Sequence, residues 1–347
     1  MRLSDQNQFL RESYRLNAML LLKCNDNIAF MKSSVDELYR IASYITDVRI
    51  EQIGNDKDIM LPSGKAISTA SAAHCLLEMK RTAVFLRGIY KAIIAKLIRI
   101  RNHPVRILYV GPGPYGSLLT PVLHLFAEDD IIVDFIEINE ASLSALGRLT
   151  DALGLNEYIE HWYCADAATF KTTKPYDIVI TETMLACLKS EPQVAIMQNL
   201  IPQQKRSCTF IPEEISIDAA LTNSEMEMKR LMYYENEAPL FERLSLGNIF
   251  KLNKLSMDDI LSRKTLLIPD EIDKFPILKL ITTVRVFKDE VLTDNDSSIT
   301  MPRQYFNFEE QPAREVEFWY TQGEDPVLEG RITQSVALPG GVEVQCQ

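Results

Sequence analysis

The protein has 347 residues, a length that favours about two domains over one simple module. Hydrophobic residues make up 46% and charged residues 24% of the chain, values typical of a folded globular protein and not of a disordered one. The formal net charge is −11 at pH 7, so we expect no nucleic-acid partner and no membrane partner held by non-specific charge attraction.

The chain also lacks the patterns of a membrane, secreted or metal protein. It has no run of roughly 18 apolar residues, and its first residues do not follow the basic-then-apolar order of a secretory signal. The six cysteines show no C-x-x-C spacing, so we expect reduced thiols and a cytoplasmic location. Cys164 and Cys187 are interpreted as small buried hydrophobic residues. The four histidines lack metal-ligand spacing, and no metal site is predicted.

Residues 1–103 are predicted to form a helical region. Apolar residues such as Leu10 and Tyr14 recur at helical spacing, and the same pattern returns between residues 76 and 97. Glycine, asparagine and proline between residues 54 and 64 separate the two helical sets.

Residues 104–212 alternate short apolar runs with helical stretches. The apolar runs lie at 106–110, 131–136, 161–165 and 176–181. This alternation is typical of β-α-β units. We therefore predict an α/β fold with a Rossmann-like parallel sheet in this range.

Residues 213–347 change character and are predicted to form a mostly antiparallel β domain. Strand-like runs such as 277–287 and 314–321 are separated by turns that contain aspartate, glycine or proline. A helical stretch interrupts this pattern, and we expect a helical insertion at about 222–262.

A glycine-rich loop follows the first predicted strand of the α/β region. It runs from Gly111 to Gly116 and includes Pro112, Gly113 and Pro114. Glycine after a strand allows a sharp turn and lets a ligand approach the backbone. The two prolines remove backbone N–H donors, which a pyrophosphate would need. The loop therefore favours a ligand without phosphates over a dinucleotide such as NAD.

Two acidic residues follow the next two strands. Glu137 ends the second strand, where a carboxylate can accept both hydroxyls of a ribose, and Asp166 follows the third, where it can accept from an adenine amine. Together with the loop, these acids would place an adenosine at the edge of the sheet. We therefore predict S-adenosylmethionine as the cofactor. The predicted contacts are Gly111, Pro112, Gly113, Glu137, Ile138, Asp166 and Ala167.

Two further stretches carry a more specific resemblance. Residues 78–85 read E-M-K-R-T-A-V-F, and residues 177–184 read D-I-V-I-T-E-T-M, with Glu182 and Glu191 nine positions apart. With the loop and acids of residues 104–212, they resemble class I S-adenosylmethionine-dependent methyltransferases, and among these the protein arginine methyltransferase family.

The resemblance implies a role for each matching residue. Arg81 is expected to bind the carboxylate of the cofactor, because a guanidinium group matches a carboxylate with two parallel hydrogen bonds. Glu78, three positions earlier, is expected to hold Arg81. The catalytic pair would be Glu182 and Glu191. The family also implies a C-terminal β-barrel-like domain whose helical arm binds a partner subunit, and hence a homodimer.

The chemistry of methyl transfer explains why two acids would be needed. The sulfonium donor is a cation, and an arginine acceptor is a second cation with a pKa above about 12. Burying both costs several kcal/mol for each unpaired ion. Two carboxylates offset this cost, orient the planar guanidinium group and can receive its proton.

The sequence also departs from the family pattern and leaves alternatives open. Thr183 stands where the family has tryptophan, Pro192 follows the second acid directly, and no Thr-His-Trp loop occurs in the C-terminal region. The acceptor is therefore either arginine in a protein or a free arginine-like guanidine. Two alternatives are a small-molecule methyltransferase with a non-guanidine acceptor and a non-catalytic cofactor-binding scaffold. A nicotinamide dehydrogenase is disfavoured by the loop prolines.

Overall fold

The computed structural model describes residues 3–54, 57–100, 102–232, 243–270 and 274–335. Within these ranges, none of the helices combines the length and the hydrophobicity that crossing a membrane requires.

The N-terminal region is mainly helical but also contains a short hairpin. Its elements are α1 (Leu3–Lys23), α2 (Ile28–Thr46), β1 (Ile59–Leu61), β2 (Gly64–Ala66), α3 (Thr69–His74) and α4 (Met79–Arg99). Leu10, Tyr14 and Leu21 form the buried face of α1, as their helical spacing predicts. The antiparallel hairpin β1–β2 was not predicted. Its strands are too short to show an alternating pattern.

The central region is a parallel sheet covered by helices. Its elements are β3 (Val105–Val110), α5 (Thr120–Leu123), β4 (Ile131–Glu137), α6 (Glu140–Leu153), β5 (Ile159–Cys164), β6 (Ile178–Thr181), α7 (Gln193–Leu200) and β7 (Thr209–Ile211). The four predicted strands are confirmed. Ile178, Val179 and Ile180 are fully buried, and each such side chain contributes about 1.5–3 kcal/mol.

The order of strands in this sheet is β5-β4-β3-β6-β7, with all neighbours parallel. The chain moves outward from β3 to β5 and then crosses to β6 on the other side of β3. In such open sheets, the crevice beyond the carboxyl ends of the two central strands is the usual ligand site. Helices α1 and α2 pack together and also contact α6, so they are part of this layer.

The C-terminal region consists of antiparallel sheets with one helix. Its elements are β8 (Glu214–Thr222), α8 (Ser224–Met232), β9 (Leu244–Asn253), β10 (Lys264–Leu267), β11 (Ile277–Phe287), β12 (Glu290–Leu292), β13 (Arg303–Asn307), β14 (Ala313–Thr321) and β15 (Val327–Ser335). One sheet has the order β12-β11-β8-β9, with β13 paired to β11, and a second has the order β10-β14-β15. The predicted antiparallel architecture is confirmed, although no closed barrel forms among the described residues.

The helical insertion expected at about 222–262 is shorter than predicted. In the described part of this range, only Ser224–Met232 is an α-helix, whereas Leu244–Asn253 forms a strand that pairs with β8 along most of its length. Residues 233–242 of the expected insertion lie outside the described residues. Strand pairing prevails here because β8 offers an unpaired edge, which sequence periodicity does not reveal.

Helix α4 connects the central and C-terminal regions. It packs on β11 and β12, and a Cβ atom built on Gly88 would lie 2.5 Å from Val286 Cγ1. Glu290 accepts from Arg87 at 2.8 Å and from Lys91 at 2.6 Å. These contacts fix the helix whose first turn carries Arg81.

Candidate active site

A cavity of about 390 Å³ lies at the carboxyl ends of the parallel strands. Every residue predicted for the site lines it, although these residues come from six separate stretches of the sequence. They are Arg81, Gly111, Pro112, Gly113, Glu137, Ile138, Asp166, Ala167, Glu182 and Glu191. The structure therefore brings together all the residues that the sequence singled out, and their roles stay predictions.

The glycine loop forms one wall of the cavity and requires glycine for two reasons. Gly111 and Gly113 have φ angles of 64° and 62°, a left-handed conformation that costs other residues energy. A Cβ atom on Gly111 would also lie 2.7 Å from Thr183 Cγ2, and one on Gly113 would lie 3.0 Å from the Cβ of Ala72. A side chain at either glycine would therefore collide with a neighbouring residue of the protein.

Glu137 lies next to this loop at the end of β4. Its side chain accepts hydrogen bonds from the backbone N–H of Gly113 at 3.0 Å and of Asn139 at 2.9 Å. Burial raises the pKa of Glu137, and the backbone donors oppose this rise. Each carboxylate oxygen keeps a further lone pair, so the group can still accept from the hydroxyls of a ligand.

The segment after β5 also lines the cavity. The carboxylate of Asp166 accepts from the backbone N–H of Ala168 at 2.8 Å through Oδ1, which holds the side chain in place. Ala167 is buried beside it. Cys164 was expected to be buried but is exposed, because it lies at the end of an edge strand of the sheet. Cys187 is buried as predicted.

Arg81 and Glu182 form a buried ion pair inside the cavity, with Arg81 Nη2 bonded to Glu182 Oε2. Their side chains are only 7% and 5% exposed. Arg81 Nε is also buried but has no hydrogen-bond partner among the described residues. Glu78, expected to hold Arg81, instead accepts hydrogen bonds from the backbone N–H and the hydroxyl of Ser298. The acid that binds Arg81 is therefore Glu182, because the fold turns Glu78 towards the C-terminal region.

Glu191, the second predicted acid, is 6% exposed. Burial raises its pKa to about 7, and the positive charges of Arg81 and Lys65 limit the rise. Lys65 Nζ is itself paired with Asp58 at 3.0 Å. Both predicted acids therefore lie in the electrostatic field of Arg81, but only Glu182 forms a direct ion pair with it.

The loop between the two acids has an unusual backbone. Cys187, Leu188 and Ser190 have φ angles of 61°, 56° and 65°, a left-handed conformation that non-glycine residues rarely adopt. Such conformations persist only where surrounding contacts hold them, and they are frequent at functional sites.

The C-terminal sheets provide those contacts. Cys187 N–H donates to Thr282 Oγ1 at 2.9 Å, and Tyr320 Oη donates to the carbonyl of Leu188 at 3.0 Å. The hydroxyl of Ser190 donates to a side-chain oxygen of Asp325 at 2.6 Å. The loop that joins the two acids is thus held by the domain that follows it in sequence.

Two residues that the sequence motifs did not identify are Lys65, in the cavity wall, and Gln193, which supports the wall residue Thr183. Lys65 lines the cavity because the β1–β2 hairpin packs on the segment that contains Glu191, and a Cβ atom on Gly64 would lie 2.9 Å from a backbone oxygen of that segment. Gln193 is fully buried, and its Oε1 accepts from both the N–H and the hydroxyl of Thr183. Neither residue belongs to a motif, so no local signal could have identified it.

One histidine lies in an acidic cluster that the sequence did not reveal. Asp134, Glu160 and His161 place potential ligand atoms within 4.8 Å of one another, and none of them lines the cavity. Lys174 forms ion pairs with both acids, and Arg106 forms another with Glu160. Because these cations already neutralise the acids, the geometry favours a salt-bridge network over a metal site.

The sequence matches no protein-family model and no curated protein. Among solved structures, the PRMT1 enzyme–prozyme heterotetrameric complex with AdoHcy from Trypanosoma brucei aligns with a TM-score of 0.51 and 12% identity, over 76% of this chain and 93% of that chain. Protein arginine methyltransferase 10 from Arabidopsis thaliana, in an open conformation, aligns with a TM-score of 0.42 and 13% identity, over 68% and 84% of the two chains. The second similarity is too low to support an argument. The first confirms the predicted resemblance at the level of the fold, a Rossmann-like sheet followed by an antiparallel β domain.

Proposed function

We propose that the chain is an S-adenosylmethionine-dependent N-methyltransferase whose acceptor is a guanidinium-type nitrogen. The observation that carries this proposal is the cavity itself. It is lined both by the glycine loop with the acids Glu137 and Asp166 and by the buried pair Glu182 and Glu191.

The polar groups of the cavity fit the proposed cofactor. Arg81 Nε is a buried donor to which none of the described residues offers an acceptor, and a carboxylate would satisfy it. Glu137 can accept from ribose hydroxyls, and Asp166 can accept from the amine of adenine. When bound, the cofactor would supply an electrophilic methyl group on a positively charged sulfur.

Glu182 and Glu191 would act on the acceptor. Two buried carboxylates can offset the cost of bringing a guanidinium cation into a dry pocket. They can also hold the planar group with one nitrogen facing the methyl donor. Glu191, with a pKa of about 7, is well placed to take the proton released on transfer.

The acceptor is proposed to be arginine, either in a protein or as a free small molecule.

We also propose that the chain forms a homodimer through α8, where Met228 and Met232 are exposed at 60% and 71%. Large exposed apolar side chains on one helix are typical of an interaction surface. Sedimentation velocity would measure the oligomeric state.

Binding of the cofactor product tests the first part of the proposal. We expect calorimetric titration with S-adenosylhomocysteine to show binding and titration with NAD to show none. Absence of S-adenosylhomocysteine binding would reject the proposed function.

Turnover assays test both the identity of the acceptor and the role of the two acids. Labelled donor would be incubated separately with an arginine-rich peptide, free arginine and a metabolite extract, and the labelled product would identify the acceptor. Glu182→Gln and Glu191→Gln should each lower turnover by about 10²-fold or more, since each removes a charge that faces the acceptor. Glu324→Gln, at an exposed acid outside the cavity, serves as the control. Near-normal turnover in either cavity variant would contradict the assigned role.

A further inference from the structure

The guanidinium group of Arg81 is hydrogen-bonded to Glu182, the acid that is proposed to bind the acceptor. Arg81 binds Glu182 directly, and both side chains are almost completely buried. A guanidinium-type acceptor would need the same carboxylate in the same cavity. The protein's own cation therefore occupies the place of the acceptor's cation.

Among the residues that the structure describes, Arg81 forms a direct ion pair with no other acid. Glu78 is engaged by Ser298 through two hydrogen bonds. Glu191 lies close enough for its pKa to respond to Arg81, but no direct ion pair joins them within the described residues. Leaving Glu182 would strand a buried guanidinium group, which is unfavourable unless another anion takes its place.

We propose that Glu182 and the carboxylate of the cofactor compete for Arg81, so that the amino-acid end of the cofactor releases Glu182 for the acceptor. A carboxylate that binds the free Nε with two parallel hydrogen bonds also needs the neighbouring Nη2, which is the nitrogen that Glu182 holds. This inference rests on the proposed function. It makes Arg81 a switch between two anions and predicts that the cofactor binds before the acceptor. By thermodynamic linkage, anything that weakens the Arg81–Glu182 pair should strengthen binding of a ligand that carries the carboxylate.

Two probes and two variants test this competition. S-Adenosylhomocysteine carries the amino-acid end, whereas 5′-methylthioadenosine has the same adenosine and a thioether but no carboxylate. Each would be titrated by calorimetry into the wild-type protein, Glu182→Gln and Glu191→Gln. Glu191→Gln is the matched control, because it removes a carboxylate from the same cavity without breaking the direct ion pair.

We expect Glu182→Gln to bind S-adenosylhomocysteine roughly tenfold more tightly than the wild type, because the neutral amide holds Arg81 less strongly. Its affinity for 5′-methylthioadenosine should not change. Glu191→Gln should stay within about threefold of the wild type for both probes. This pattern would link the gain to the carboxylate and to Glu182 alone.

Unchanged or weaker binding of S-adenosylhomocysteine by Glu182→Gln would overturn the proposal. An equal gain for both probes would also overturn it, because the effect would then not depend on the carboxylate. Failure of the wild-type protein to bind either probe would instead reject the proposed function. Should Glu182→Gln not fold, Glu182→Asp shortens the side chain, keeps the charge and is expected to produce a smaller gain in the same direction.

Discussion

Glu182 and Glu191 occupy one cavity but differ in their surroundings. Glu182 is neutralised by its direct ion pair with Arg81. Glu191 has no such pair among the described residues, and burial raises its pKa to about 7. Two acids with such different surroundings are suited to different chemical roles. Glu182 is suited to hold a cation, and Glu191 to exchange a proton near neutral pH.

The raised pKa of Glu191 leads to an expected dependence of stability on pH. The folded-state pKa of about 7 lies above the ordinary value of 4.5, so the native state binds more protons between these values. The contribution of Glu191 to the free energy of unfolding should therefore fall as the pH rises from about 4.5 to about 7. Relative to Glu191→Gln, the wild type should lose on the order of 3 kcal/mol over this interval.

Urea denaturation of both proteins at a series of pH values would measure this difference. The Glu191→Gln variant carries no titrating group at this position, so its stability should fall less steeply across the same interval. Parallel curves for the two proteins would show that the pKa of Glu191 is not raised in the folded state.

At the residue scale, motifs located the cavity but not all of its charges. Arg81, Glu137 and Glu182 could be found because each belongs to a sequence pattern with a chemical reason. Lys65 could not, since its place near Glu191 depends on how a short hairpin packs on a distant segment. Long-range packing of this kind leaves no trace in local spacing.

At the element scale, the glycine loop is a turn whose conformation depends on the absence of side chains at its glycines. Gly111 has a φ angle of 64°, and a Cβ atom there would lie 2.7 Å from Thr183 Cγ2. The loop is in close contact with Thr183, which follows β6, and both segments line the cavity. A shift of either segment would therefore change the shape of the cavity. The conformation of this loop therefore helps to define the shape of the cavity.

Gly111→Ala should destabilise the protein by about 1–3 kcal/mol, through the left-handed backbone and the contact with Thr183. Gly147, in the middle of α6, is the matched control because a Cβ atom there meets nothing within 4 Å. Gly147→Ala should stabilise the protein by about 0.5–1 kcal/mol. Thermal unfolding of the two variants would check both signs, and equal effects would contradict this account of the loop.

Prediction of elements succeeded for the four apolar runs of the parallel sheet and failed where pairing was the deciding factor. The buried runs became β3, β4 and β6, and the run at the exposed edge of the sheet became β5. The stretch Leu244–Asn253 was expected to be helical, yet it pairs with β8. Its residues tolerate either structure, and the open edge of a neighbouring strand selects one of them.

At the scale of the whole molecule, the C-terminal domain shapes a site built mainly on the central sheet. It holds the left-handed loop between the two acids through Thr282, Tyr320 and Asp325. It also fixes α4, and hence Arg81, through Glu290. Side chains of the C-terminal region therefore support two segments that line the cavity.

Tyr320→Phe tests this dependence, because it removes the hydrogen bond to the carbonyl of Leu188. Tyr305→Phe is the matched control, since the hydroxyl of Tyr305 donates to the carbonyl of Leu328 at the same 3.0 Å but within the C-terminal domain. Each variant should lose about 1 kcal/mol of stability.

Only Tyr320→Phe should lower kcat, and its affinity for S-adenosylhomocysteine should stay unchanged. Chemical denaturation, turnover and calorimetry would separate these effects. Equal kcat values for the two variants would mean that the loop keeps its shape without support from the C-terminal domain.

The sequence by itself determined four of the five strands of the parallel sheet and ten of the residues that line the cavity, because local periodicity and motif chemistry act over short distances. Only the tertiary structure decided that Arg81 binds Glu182 and not Glu78, that a hairpin brings Lys65 to Glu191, and that Leu244–Asn253 is a strand. Each of these outcomes depends on which distant surfaces meet, and burial then sets the strength of every charge interaction between them.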